Sequence, residues 1–274
     1  MLLATSPLAD APGSPVAAAP LLTVLIPVYN EERTVDALLH QVAEGPYPDK
    51  QIIVIDDGST DATPRLLEAW AGWPGVLVLR HDRNRGKGTA VRTGLTHARG
   101  EVTIIQDADL EYDPADYPRL VEPILKGQAE AVYGSRYLAP VSRLPWTRFR
   151  LGVVVFNLLV RLLYGRRLTD EATCYKAART ELWRALALRA ERFELCPEMT
   201  AKLCRLGVAL IEVPIAYHPR GTAAGKKIGW RDAVQTVWTL FRWRLLPLGA
   251  TSHPPTMAPA SVRISSSSCT ASHG

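Results

Sequence analysis

Apolar residues in the first half of the chain fall into short unbroken runs, separated by helical repeats, and each long run opens into a polar cluster. Leu22-Thr23-Val24-Leu25-Ile26-Pro27-Val28 leads into Tyr29-Asn30-Glu31-Glu32, and Gln51-Ile52-Ile53-Val54-Ile55 leads into Asp56-Asp57-Gly58-Ser59-Thr60-Asp61. Val102-Thr103-Ile104-Ile105 leads into Gln106-Asp107-Ala108-Asp109-Leu110-Glu111. Such runs read as strands covered on both faces. Between them Val35, Leu38, Leu39 and Val42 recur at i, i+3, i+4 and i+7. That spacing predicts a helix with Asn30 as its cap, Glu31 and Glu32 at its positive end and Gly45 as its stop. Leu66, Leu67 and Trp70 after Pro64 mark a second helix. Ala90, Val91, Gly94, Leu95 and Ala98 mark a third, after a short strand Val76-Leu77-Val78-Leu79. Strand alternating with helix predicts an α/β fold with a mostly parallel central sheet and helices on both faces. The polar strand ends would then meet at one sheet edge, where open α/β sheets bind ligands.

Composition fits one such domain with added segments: 274 residues, 47% hydrophobic and 22% charged. Residues 1–20 are rich in Ala, Pro and Ser and lack a basic start followed by an apolar run, so they read as a disordered leader and not a signal peptide. Residues 251–274, with serines at 265 to 268, read as a disordered tail. A main domain over 21–229 and an amphipathic helix over 230–250 remain. The four cysteines, at 174, 196, 204 and 269, have no C-x-x-C spacing, which favours free thiols in a reducing cytosol. The longest apolar stretch, Leu151 to Val160, contains Asn157 and ends at Arg161, well short of the ~20 residues of a spanning helix.

The formal net charge is +5, with arginines concentrated in the second half. A basic half facing an acidic sheet edge points to phosphate ligands or an anionic membrane surface; no nucleic-acid-binding motif is present. Asp107 and Asp109, two apart at a strand end, would share a face in extended chain. A hard cation, Mg²⁺ or Mn²⁺, carried with phosphate oxygens as co-ligands, would offset two such charges. Solvated loop aspartates are the alternative.

Several ordered motifs sharpen this picture: Ile26-Pro27-Val28-Tyr29-Asn30-Glu31, Ile55-Asp56-Asp57-Gly58-Ser59, Asn84-Arg85-Gly86-Lys87-Gly88, Asp107-Ala108-Asp109, Gly134-Ser135-Arg136-Tyr137, and Pro219-Arg220 with Gly225-Lys226-Lys227-Ile228. Over roughly residues 21 to 232 the chain resembles a family-2 glycosyltransferase of the GT-A fold, close to the dolichyl-phosphate mannose and glucose synthases. The resemblance implies transfer of a hexose from a GDP- or UDP-sugar to a polyprenyl phosphate, dolichyl or undecaprenyl, with inversion at the anomeric carbon. It implies that Pro27, Tyr29 and Glu31 line the nucleotide pocket and that Asp56 or Asp57 accepts a hydrogen bond from a base N–H. Lys87 would reach the nucleotide. It sits in neither a Walker loop nor a dinucleotide fingerprint, since residue 81 is His and residue 91 is Val where those motifs need Gly.

By the same resemblance Asp107, Asp109 and Glu111 hold the cation on the donor diphosphate, with Asp109 the principal ligand. Arg136 and one of Arg148 or Arg150 clamp the acceptor phosphate, and Arg220 and Lys226 hold donor or acceptor phosphates. A phosphate nucleophile needs no strong base; a sugar hydroxyl would, and Glu194 or Glu198 is then the candidate. Cys174 departs from the family pattern, which usually has Gly there, close to the acceptor face.

Two amphipathic stretches complete the reading. Trp146 to Tyr164 is apolar with basic ends, and Trp230, Val234, Val237, Trp238, Phe241 and Leu245 share a helical face beside Arg231, Arg242 and Arg244. They predict peripheral docking on the cytoplasmic leaflet, with packing against the domain itself as the alternative. Two competing functions stand beside the first: the same fold acting on a sugar hydroxyl in polysaccharide or cell-wall assembly, and a non-catalytic nucleotide-sugar-binding module. A sugar nucleotidyltransferase would need a Gly-rich loop that residues 22–34 lack.

Overall fold

The computed structural model describes residues 20–138, 148–219 and 230–248; all but the last residue of the expected leader, and all of the expected tail, lie outside them. The strands are β1 (Leu22–Val28), β2 (Gln51–Asp56), β3 (Val76–Arg80), β4 (Val102–Ile105), β5 (Ala131–Ser135), β6 (Lys176–Arg179) and β7 (Leu210–Pro214). The helices are α1 (Val35–Glu44), α2 (Thr63–Glu68), α3 (Lys87–His97), α4 (Tyr117–Leu125), α5 (Arg148–Tyr164), α6 (Thr180–Ala185), α7 (Leu195–Arg205) and α8 (Trp230–Leu245).

One sheet in the order β3-β2-β1-β4-β6-β5-β7 collects all of these strands. The pairs β1–β2, β2–β3, β1–β4 and β5–β7 are parallel, and β6 runs antiparallel to both neighbours. Strands β2 and β4 are buried throughout, as unbroken apolar runs covered on both faces should be, whereas β3 at the edge is half-buried. Strand order reverses between β1 and β4, because the chain builds outward to β3 and then returns to the other side of β1. The crevice beyond the carboxyl ends of these two strands is the expected ligand position in such a sheet.

The antiparallel β6 was not foreseen from the pattern, and it carries Lys176 in the core. The Lys176 ammonium is stabilised there by the carbonyls of Glu171 and Thr173 at 2.6 and 2.7 Å and by the Tyr133 ring at 4.1 Å.

Asn30 does not cap α1, which starts five residues later with Thr34 at the cap position. The intervening residues are engaged with the turn after β2. Asn30 takes a φ of 52° and accepts from the Thr60 N–H, while the N–H groups of Asn30, Glu31 and Glu32 donate to Ser59 Oγ, Thr63 Oγ1 and Asp61 Oδ2. Glu32 answers by accepting from Ala62 N–H. This reciprocal stitching fixes the β1 and β2 loops against each other at the crevice rim. The expected stop at Gly45 agrees with the end of α1.

Candidate active site

Three strand ends bring the acidic clusters to the crevice. At the end of β2, both oxygens of Asp57 are engaged within the protein. Oδ1 lies 2.7 Å from His81 Nδ1 and accepts from Arg85 N–H, and Oδ2 accepts from Gly86 N–H at 2.7 Å. Asp57 therefore anchors the 81–86 loop. Its neighbour Asp56 is also buried, but only Oδ1 is hydrogen-bonded, to Ser59 N–H. Asp56 Oδ2 sits 3.2 Å from Arg80 Nε outside hydrogen-bonding geometry, and so keeps an unmade hydrogen bond in a buried place. A buried acceptor in this condition is costly unless something else fills it.

The loop that Asp57 holds delivers Lys87 as the first residue of α3. Gly86 has a φ of 93°, and a Cβ built on Gly88 would lie 2.5 Å from the Ala190 carbonyl oxygen, so both glycines let the 190–191 backbone close over the turn. Thr89 N–H also donates to the Glu191 carbonyl. Lys87 Nζ donates to Asp107 Oδ1 at 2.5 Å and lies 3.4 Å from Cys174 Sγ. Burial opposes the charge on Lys87, but the Asp107 carboxylate outweighs it and holds the ammonium well above the usual lysine range. The same burial, with Asp107 beside it, pushes the Cys174 thiol up and keeps it protonated.

Beyond β4 the backbone is braced by Gln106, whose buried side chain accepts from the hydroxyls of Tyr117 and Tyr175 at 2.8 and 2.6 Å. Asp109 Oδ1 accepts from Glu111 N–H, which closes a tight turn with Leu110 at φ 60°. Glu111 turns to Tyr217, accepting its hydroxyl at 2.8 Å, and its carbonyl accepts from His218 N–H. Among the described residues no three His, Cys, Asp or Glu side chains gather as a metal cage. Of the expected set of three, Glu111 is engaged through Oε2 by the Tyr217 hydroxyl.

The acceptor-side arginines are also rearranged. Arg136 donates through Nε and Nη2 to the two oxygens of buried Asp170, both at 2.7 Å, and its own N–H reaches Oδ2 at 3.1 Å. Its bidentate edge is thus spent inside the protein, which corrects its expected use as a phosphate fork. Burial opposes its charge, and Tyr112 and Asp170 more than restore it. The guanidinium stacks 5.1 Å from the Tyr217 ring and 5.8 Å from the Tyr137 ring, and Arg150 approaches the same Tyr137 ring at 5.5 Å. Two cations therefore approach one tyrosine. The side chain of Arg148, and all of Arg220 and Lys226, lie outside the described residues.

Glu198 is corrected outright as a base. Its oxygens accept from the N–H groups of Arg189 and Ala190 and from Lys202 Nζ at 2.6 Å, and this pair is only 1% exposed on either side. It ties the 189–191 loop, the one that covers Lys87, to α7. Glu194 accepts from the Glu191 and Arg192 N–H groups through Oε1 alone, and its buried Oε2 makes no hydrogen bond.

Contacts run without a break from Asp107 through Lys87 to Cys174, whose N–H donates to Tyr112 Oη, then through the Tyr112 and Tyr217 rings to Arg136. Donor and acceptor candidates so share one region. Pro27, Tyr29 and Glu31 stand at the end of β1 beside β2 and β4, with the Glu31 carboxylate accepting from Thr34 Oγ1. Asp170, Tyr217 and His81 escaped the sequence reading. Of these only Asp170 left a trace, as an acid in an arginine-rich stretch.

Comparison with known proteins agrees with this geometry. The profile described as glycosyl transferase family 2 matches residues 23–186. The chain is 27% identical over 230 residues to a UDP-N-acetylglucosamine–dolichyl-phosphate N-acetylglucosaminyltransferase of Methanococcus voltae, covering 76% of this chain and 90% of that one. It is 30% identical over 229 residues to an undecaprenyl-phosphate mannosyltransferase of Micrococcus luteus, covering 81% and 93%. Among solved structures, glucosyl-3-phosphoglycerate synthase from Mycobacterium tuberculosis, in complex with Mn²⁺, UDP and phosphoglyceric acid, superposes with a TM-score of 0.63 at 22% identity, covering 83% of this chain and 80% of that one. That likeness establishes the GT-A architecture. With its switch-point crevice and the acidic ends of β2 and β4, the chain belongs to glycosyltransferase family 2 and is a glycosyltransferase.

Proposed function

We propose that the protein transfers a hexose from a GDP- or UDP-sugar to a polyprenyl phosphate with inversion, acting peripherally at the cytoplasmic face of a membrane. Residues 21–229 serve as the catalytic domain and 230–250 as an appended amphipathic helix. Polyprenyl-phosphate transferases among the relatives support the acceptor class.

Within the crevice Asp56 Oδ2, ion-paired with Arg80 but without a hydrogen bond, takes an N–H of the base, and Pro27, Tyr29 and Glu31 line the nucleoside pocket. Lys87 and Asp107 set a fixed charge pair beside the diphosphate. Asp107 and Asp109 would hold a Mg²⁺ or Mn²⁺ ion, which when bound supplies positive charge against the departing diphosphate. On the acceptor side Arg150 and the remaining N–H groups of Arg136, both close to the Tyr137 ring, orient the incoming phosphate oxygen, with Arg148, Arg220 and Lys226 as further phosphate ligands. Attack from the side opposite the leaving diphosphate inverts the anomeric carbon.

The observation that carries the phosphate acceptor is the approach of two cations, Arg136 and Arg150, to the one Tyr137 ring, with Glu198 tied to Lys202 and two backbone N–H groups. A sugar hydroxyl would have to surrender a proton to a base, whereas a phosphate is already anionic. Incubating GDP- and UDP-hexoses with short polyprenyl phosphates and with free sugars, in Mg²⁺, Mn²⁺ or chelator, tests the reading. Chelator-sensitive formation of a lipid-phosphate glycoside of inverted configuration is expected; transfer to sugar hydroxyls alone would refute it.

A further inference from the structure

Resting on the lipid-phosphate reading, we infer that the outer faces of α5 and α8 form one platform that seats the protein in the plane of an anionic bilayer. On α5, Leu151, Val154, Val155, Leu158 and Leu162 recur at i, i+3, i+4, i+7 and i+11 and are 42 to 72% exposed, while Val153 and Val160 on the opposite side are buried. On α8, Val234, Trp238, Phe241 and Leu245 recur at i, i+4, i+7 and i+11 and are 41 to 81% exposed, while Thr236, Leu240 and Trp243 are buried. The outward side of each helix is thus its apolar side, the reverse of a surface helix in a water-soluble domain. Single exposed leucines need no explanation, but continuous stripes on neighbouring helices do.

The two helices lie against each other. Tyr164 Oη donates to the Leu240 carbonyl at 2.6 Å, and Arg244 Nε donates to the Leu163 carbonyl at 2.9 Å. Charge selects the occupant. From 148 to 167 the chain has Arg148, Arg150, Arg161, Arg166 and Arg167 and no acid; α8 has Arg231, Arg242 and Arg244 against the single acid Asp232 at its start. A second copy of the chain would set arginine against arginine, whereas anionic headgroups complement the rim and acyl chains the stripes. Among the described residues no helix is long and apolar enough to cross a membrane, so the contact lies in the interface plane.

Seating α5 also places the acceptor side of the crevice. Arg150, in the first turn of α5, reaches the Tyr137 ring that Arg136 shares. In mid-helix, Asn157 Nδ2 donates to the Thr169 carbonyl and its Oδ1 accepts from Glu171 N–H, gripping the segment whose Asp170 holds Arg136. The lipid phosphate therefore meets the arginines at the bilayer surface while its chain stays in the membrane.

Cosedimentation of the full chain with phosphatidylglycerol and with phosphatidylcholine vesicles tests this. Binding to phosphatidylglycerol that weakens with salt is expected. Leu158→Glu/Leu162→Glu on α5 and Trp238→Glu/Leu245→Glu on α8 should each weaken it about tenfold or more. Leu21→Glu, at an exposed apolar site outside the platform, should bind like the parent. Serine versions of the four substitutions repeat the measurement with less perturbation, and an unchanged circular dichroism spectrum reports an intact fold. Turnover of a short, water-soluble polyprenyl phosphate should survive in all of them. Wild-type vesicle binding by both double variants overturns the platform, as does a dimer of the full chain that either variant splits. Selective loss of vesicle binding, in a protein inactive on every lipid phosphate, would uphold the platform and refute the acceptor reading separately.

Discussion

The ammonium of Lys87 and the carboxylate of Asp107, twenty residues apart in sequence, meet at 2.5 Å where α3 begins and β4 ends. Both are largely withdrawn from water, and burial alone would drive the ammonium toward neutrality; the pairing reverses that. At the proposed donor-diphosphate site such a fixed cation would stabilise charge that grows as the sugar leaves. Lys87→Ala should then cut kcat/KM for the nucleotide sugar by about 10²-fold or more, the loss seen when one preorganised donor is removed. Steady-state kinetics on the folded variant measures it, and near-normal turnover would place Lys87 outside the chemistry.

Glu198→Gln separates a structural carboxylate from a base. Removing one charge from the buried pair leaves Lys202 without its counter-ion, which should destabilise the fold by about 3–5 kcal/mol in denaturant titration. The amide oxygen can still accept from the Arg189 and Ala190 N–H groups, so kcat per folded molecule should stay within about threefold of the parent. A loss of several orders of magnitude with unchanged stability would restore Glu198 as a catalytic base.

Buried thiols make stability fall in alkali. Burial pushes Cys204 up to about 11, and burial together with Asp107 pushes Cys174 up as well. Below the ordinary thiol range both folded and unfolded chains carry these protons, so the thiols contribute no pH dependence there. Between about pH 9 and 11 the unfolded chain releases protons that the native chain retains, and stability is lost as pH rises through that window. Thermal melts from pH 8 to 11 should show the decline, diminished in Cys204→Ala. Peptide mapping after iodoacetamide at pH 8 should find Cys174, which is buried, unlabelled unless the chain is first unfolded.

The architecture was legible because its signal is periodic. Apolar runs at 22–28, 51–55 and 102–105 and the repeat from Val35 to Val42 each bury against one sheet, and pattern reports burial directly. What escaped depends on long-range pairing. Nothing local tells Asp57, whose oxygens are filled by the 81–86 loop, from Asp56, which keeps one unfilled. The tie of Arg136 to Asp170 spans 34 residues and that of Glu111 to Tyr217 spans 106, and neither leaves a local signal. The α1 start was misplaced for the same reason, since Asn30 is drawn to a turn thirty residues on.

The glycine pair around Lys87 offers the sharpest local test. Gly88 lies in α3, where an alanine would ordinarily stabilise the helix by about 1 kcal/mol. Here the added methyl would meet the Ala190 carbonyl oxygen at 2.5 Å, and that segment cannot easily yield: Ala190 N–H is held by Glu198, and the Glu191 carbonyl accepts from Thr89 N–H. Relief has to come from α3, whose first residue is Lys87. Gly88→Ala should therefore destabilise the fold by about 1–3 kcal/mol, as other small-to-large changes in close-packed places do. It should also lower kcat/KM for the nucleotide sugar, because Lys87 shifts relative to Asp107. Gly152→Ala, at a helical glycine with nothing within 4 Å of its added methyl, serves as the control and should keep donor kcat/KM unchanged. Equal effects of the two substitutions would mean that the 190–191 backbone does not set the position of Lys87.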